Sequence, residues 1–126
     1  MVAYAAALAA GTGAKLLLLH VLEPQPVLAG PTDVDLAQQL ASHHASAERA
    51  GAQVSTAIVT GADAAAEIVA AAQRHAADMI VIGAHGRTGL TRFLMGSTAE
   101  GVVRTAACVT LLMKSPTESG AYRKSA

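Results

Sequence analysis

Apolar and polar positions fall into blocks that alternate between two periods. Residues 2–10 are apolar and alanine-rich and stop at Gly11-Thr12-Gly13, which predicts a helix ended by glycine. KLLLLHV, residues 15–21, is a short continuous apolar run and predicts a strand buried on both faces. Three prolines and a glycine over residues 22–31 make that stretch a loop. Residues 32–50 start at Thr32-Asp33, carry Leu36 and Leu40 on a weak apolar stripe, and set Gln38, His43 and Glu48 on a polar face; this predicts a helix closed by Gly51. QVSTAIV (53–59) is β-branched and predicts a strand. Asp63 is a predicted N-cap for a helix running through Ala76. Residues 78–82 form another apolar strand, with Asp78 at its solvent end. A glycine-rich loop (83–96), a helix (97–106) and a last strand, Val109–Met113, complete the pattern.

The order α-β-α-β-α-β-α-β predicts an α/β fold: an open parallel sheet with right-handed crossovers and helices on both faces. The expected domain covers residues 1–114, and the polar stretch 115–126 is a frayed tail. A doubly wound sheet ordinarily opens on a strand, whereas this chain opens inside a helix.

Composition narrows the class. Hydrophobic residues are 52% and charged residues 14% of 126, which fits a folded chain rather than a disordered one. Roughly a quarter of the residues are alanine and aromatics are 2%, so close helix packing is expected and an all-β fold is disfavoured. Nine Lys and Arg balance nine Asp and Glu, which lacks the positive field of a nucleic-acid binder. The single cysteine forms no internal disulfide and fits a reducing compartment, so a cytoplasmic location is expected. MVAYAAALAA has no basic segment ahead of it and is read as part of the domain rather than as a signal peptide. No stretch reaches the roughly 18 to 20 apolar residues of a membrane span.

The candidate chemistry lies in Ile80-Val-Ile-Gly83-Ala-His-Gly86-Arg-Thr-Gly89-Leu-Thr-Arg-Phe-Leu-Met-Gly96-Ser97-Thr98. A strand that ends in glycines and leads to a helix N-terminus directs free N–H groups and the helix dipole toward an anion. Ligands of open α/β sheets lie at the carboxyl ends of the strands. Phosphate binding around Gly83, Gly86, Gly96 and Ser97 follows from these two rules. A GxxxxGK[ST] phosphate loop and a GxGxxG dinucleotide fingerprint are both absent. Gly86-Arg-Thr-Gly89 matches the GXXG of KH RNA-binding domains, but that loop joins two helices and this one follows a strand.

Gly83-x2-Gly86-x9-Gly96-Ser97 resembles the G-2x-G-9x-G-(S/T) nucleotide motif of the universal stress protein family. YAAALAAGTGAKLLLLHVLEP is similar to that family's first helix and second strand, and ADMIVIGAHGRTGLTRFLMGSTAEGVVRTAACVTLLMK to its C-terminal half. The resemblance covers nearly the whole chain. It implies a five-stranded parallel sheet in the order 3-2-1-4-5, adenine nucleotide alpha hydrolase-like and Rossmann-like, that binds ATP or a related adenine nucleotide. By the same resemblance Gly83, Gly86, Gly96, Ser97 and Thr98 hold ribose and phosphates, and Val21 lines the adenine pocket. It further implies a homodimer, often paired through the last strand, here Val109–Met113.

Two departures from the family pattern stand out. The family begins with a strand bearing an Asp that contacts the adenine end, and neither is found ahead of residues 2–10. That strand would be the central one, and without it backbone groups of its neighbours lose partners. A mis-called start, a truncated protein and a strand donated by another chain are the competing explanations, the first favoured because Met1 falls at the family's mid-helix. Weak nucleotide affinity is expected of the chain as it stands. The family also often has prolines near Ala107-Cys108-Val109-Thr110, where this chain has none.

Other residues carry competing readings. Ser97-Thr-Ala-Glu100 fits a capping box as well as a ligand site. Arg87, His85 and Arg92 are candidate phosphate contacts or solvated side chains, and of these Arg87 is taken as a ligand residue. His20 is read as a hydrogen-bonded structural histidine. His43 and His44 are adjacent and so point to different sides of a helix, against a metal site there. Cys108 is read as a small hydrophobe, and Phe93 and Met95 as packing residues. No positioned base, arginine finger or two-metal ligand set is visible. The resemblance implies a regulatory module of the stress response that binds ATP or a related adenine nucleotide, with or without Mg²⁺, and no enzymatic activity beyond slow ATP hydrolysis is expected. A dimerisation or interaction protein of the same fold without nucleotide is the alternative. Partners of the nucleic-acid or membrane class are not expected.

Overall fold

A computed structural model of the chain describes residues 1–24, 33–84 and 95–114. The elements run α1 (Val2–Thr12), β1 (Lys15–Leu22), α2 (Asp33–Arg49), β2 (Gln53–Thr60), α3 (Ala64–Arg74), β3 (Met79–Gly83), α4 (Ser97–Thr105) and β4 (Val109–Met113). The predicted order holds throughout, with boundaries shifted by one or two residues. The frayed-tail reading of residues 115–126 falls outside the described residues. The chain divides into two compact units, Met1–Ile68 and Val69–Ala126.

In the first unit β1 and β2 pair in parallel from Lys15↔Gln53 to Leu22↔Thr60. Leu16 and Val54 are register partners, and both pack against a cluster of Ala6, Ala9, Ala47 and Ala52. Ala6 on α1 and Ala47 on α2 are fully buried. Methyl side chains are what let two helices approach this closely over one strand pair. His44 ties α2 to the sheet: its Nε2 lies 3.2 Å from the Val54 carbonyl and its Nδ1 lies 3.4 Å from Glu48. The first strand, predicted to be buried on both faces, is half-buried from Leu16 to Leu22.

Three helices end on a residue with positive φ, and in each the next N–H reaches back five residues. Gly13 (φ 74°) closes α1, with Ala14 N–H donating to the Ala9 carbonyl. Gly51 (φ 97°) closes α2, with Ala52 N–H donating to Ala47. Ala76 (φ 51°) follows α3, with Ala77 N–H donating to Ala72. Glycine takes the left-handed conformation without penalty, whereas alanine does not. At the other end of α3, the Asp63 carboxylate accepts from Ala66 N–H at 3.2 Å, the predicted N-cap.

In the second unit β3 and β4 pair in parallel from Met79↔Val109 to Gly83↔Met113. Residue Ala99 of α4 is buried and Val102 fully so. Asp78 is exposed just before β3, as predicted. The described strands thus form two parallel pairs, β1-β2 and β3-β4. The central strand that the resemblance places between them is not among the described residues. The architecture is α/β with parallel strands, and the sheet is small.

Candidate functional site

The site is built where β3 hands over to α4. The β3–β4 ladder continues one residue past Gly83, where Ala84 N–H donates to the Met113 carbonyl at 2.8 Å. The Ala84 carbonyl in turn accepts from Gly96 N–H at 2.7 Å. The chain therefore leaves the sheet at Ala84 and returns to that same residue before entering α4. Gly83, Gly96, Ser97 and Thr98 are brought to one end of this unit by those two bonds.

Gly96 is the N-cap of α4, and among the described residues no side-chain hydrogen bond caps this helix start. Its φ of −63° and ψ of 153° are open to any residue. The backbone does not require glycine here, so what glycine contributes is the absence of a side chain at the helix end. The first main-chain bond of α4 runs from Glu100 N–H to the Gly96 carbonyl at 2.9 Å. The amides ahead of it, at Ser97, Thr98 and Ala99, have no carbonyl one turn back inside the helix. The dipole adds partial positive charge at that point. An anion fits this arrangement.

The predicted capping box does not form. The helix starts one residue earlier than that motif requires, so Ser97 is its first helical residue and Glu100 lies a full turn from Gly96. Glu100 pairs instead with Arg104 at 3.6 Å, both side chains being exposed. Ser97 is exposed and Thr98 half-buried. Ser97 is thereby left unengaged by the cap.

The remaining candidates divide by location. Val21 lies on β1 opposite Val59, half-buried, in the first unit. Gly86 and Arg87 lie outside the described residues, as do His85, Gly89, Arg92 and Phe93. Met95 is exposed. His20 is half-buried opposite Ile58, with no hydrogen-bond partner among the described residues. Cys108 is free and half-buried. The described residues contain no group of three or more His, Cys, Asp or Glu able to hold a metal ion. Sequence reasoning missed Ala84, because its contribution is made by main-chain atoms, and His44, whose partner Val54 is ten residues away.

Comparison with known proteins settles the family. The universal stress protein family model matches residues 1–114, and the chain belongs to that family. It is 44% identical over 70 residues to universal stress protein MJ0531 of Methanocaldococcus jannaschii; the match takes in 56% of this chain and 41% of that one. The chain thus spans about two fifths of the length of the curated relative it matches. A universal stress protein solved in complex with cAMP superposes with a TM-score of 0.70 at 25% identity, covering 90% of this chain and 84% of the other. A universal stress protein from Archaeoglobus fulgidus, solved with dAMP, gives a TM-score of 0.67 at 24% identity, covering 88% and 82%, and bears on the fold alone. Among the described residues no helix is long and apolar enough to cross a membrane.

Proposed function

We propose that this chain is a regulatory module of the stress response that binds ATP or a related adenine nucleotide at the β3–α4 crossover. The observation that carries the reading is the open N-terminus of α4. It is entered through a glycine that the backbone does not require, and no side-chain cap is found for it among the described residues. The relative bound to cAMP supports an adenine ligand. Phosphate oxygens rest on amides at the start of α4, with Ser97 and Thr98 hydroxyls beside them. Gly83, Gly86 and Arg87 complete the phosphate side. Magnesium, where it takes part, arrives with the phosphates.

The module works as a homodimer through β4, in the cytoplasm, and is not an enzyme beyond slow ATP hydrolysis. Neither nucleic acid nor membrane is a partner. The first turn of α4 presents a carboxylate, Glu100, that already faces Arg104, which leaves it poorly placed to activate a water.

Isothermal titration of ATP, with and without Mg²⁺, into the chain checked for folding by circular dichroism tests the reading. Saturable binding is expected. A folded chain that takes up no heat with ATP at millimolar concentration contradicts it and favours the alternative, a dimerisation protein of the same fold. Phosphate release well above roughly one per second at saturating ATP would move the protein into the enzyme class.

A further inference from the structure

We infer that Ala84 is a positioning residue that joins the start of α4 to the C-terminal end of β4, so that a ligand at the helix end and a partner on the strand report to each other. The second half of this inference rests on the nucleotide reading above, while the joint itself does not. Ala84 is engaged on both sides of its α-carbon. Its N–H holds the Met113 carbonyl at 2.8 Å, and its carbonyl holds the Gly96 N–H at 2.7 Å. Met113 is the last residue of β4, and Gly96 is the N-cap of α4. One half-buried residue therefore carries both the last rung of the β3–β4 ladder and the bond that seats the helix.

The physical consequence is shared opening. When the Gly96 bond breaks, the backbone at Ala84 gains freedom, and its hold on Met113 weakens. Ordering the helix end by an anion has the opposite effect and firms the end of β4. Among the described residues β4 is hydrogen-bonded to β3 alone, and the partner considered on its other edge is a second copy of this chain, paired through β4 as proposed above. By linkage, pairing on that edge would then favour ligand at the helix by the same factor.

Gly96→Pro is the test variant. The φ of −63° already suits proline, and proline lacks the N–H that reaches Ala84. Gly96→Ala keeps that N–H and serves as the control. Amide hydrogen exchange is read at Ala84, whose protection reports the bond to Met113. Loss of one net hydrogen bond predicts about fivefold faster exchange at Ala84 in Gly96→Pro and unchanged exchange in Gly96→Ala. Unchanged exchange at Ala84 in the proline variant overturns the joint.

Should Gly96→Pro not fold, exchange in the wild-type chain over a urea series decides. Ala84 and Gly96 opening with the same free energy and the same urea dependence supports the joint, and distinct openings overturn it. Added ATP then separates the two claims. Protection rising at both Ala84 and Gly96 supports the coupling, and protection rising at Gly96 alone overturns it. If ATP does not bind, the nucleotide reading fails and with it the ligand half of this inference. The exchange of Ala84 without ligand still decides the joint.

Discussion

Replacing Gly96 separates what the backbone needs from what the ligand needs. Because its φ and ψ are ordinary, Gly96→Ala introduces no backbone strain. Fixing a less flexible unfolded chain gains about 0.4–1 kcal/mol. Alanine is a poorer N-cap than glycine, which costs roughly 0.5–1 kcal/mol. The two effects offset, and stability measured by urea denaturation should stay within about 0.5 kcal/mol of wild type. Gly96→Phe places a ring over the amides of Ser97 and Thr98. Each charge-assisted bond to a phosphate oxygen contributes about 1.5–3 kcal/mol, so blocking one weakens ATP roughly ten- to a hundredfold in a calorimetric titration. Alanine should fall between. If Gly96→Ala loses more than about 1.5 kcal/mol of stability, the glycine serves the backbone and the reasoning fails. Binding by Gly96→Phe equal to wild type would refute it from the other side.

Three further outcomes follow from the packing and the caps. Ala76→Gly should stabilise by about 0.5–1 kcal/mol, since a left-handed alanine costs roughly 1–2 kcal/mol and glycine returns part of that in unfolded-state entropy; a lower urea midpoint would count against the left-handed assignment. Asp63→Ala should cost about 1 kcal/mol through loss of the 3.2 Å cap to Ala66, while Asp63→Asn should retain most of it; equal loss in both would show that the cap is not what Asp63 supplies. Ala47→Leu forces extra methylenes into a site with no exposed surface between α1 and α2, and should cost about 1–3 kcal/mol in thermal or urea unfolding; a neutral result would mean the α1–α2 contact is looser than described.

Sequence patterning reached the element order because each strand is a compact apolar run and each helix is bounded by a cap or a glycine. Gly13 and Gly51 announce their helix ends, since the left-handed conformation that closes each is one glycine adopts freely. The end of α3 was less legible: Ala76 takes the same conformation without the residue type that signals it, so the helix stops at Arg74 rather than at Ala76. Asp63 was readable because its cap is local, three residues from the amide it holds.

The candidate site was readable in outline only. Gly96 and Ser97 are marked by their spacing from Gly83, but the helix register that makes Gly96 the cap depends on where its amide is held. That holding bond comes from Ala84, twelve residues away, and carries no side-chain signature. The capping box failed for this reason: the local motif at Ser97 and Glu100 competed with a long-range main-chain bond, and the latter set the register. His44 was missed likewise, because its hydrogen-bonding role depends on β2 lying against α2, which residue spacing alone does not give.

The central claim, that nucleotide phosphate meets the open end of α4, is tested most directly by an amide-resolved NMR titration of the ¹⁵N-labelled chain with ATP. The account predicts saturable shifts centred on Gly96, Ser97 and Thr98, with Ala84 following. Saturable shifts confined to other parts of the chain, with these four amides unmoved, would contradict it.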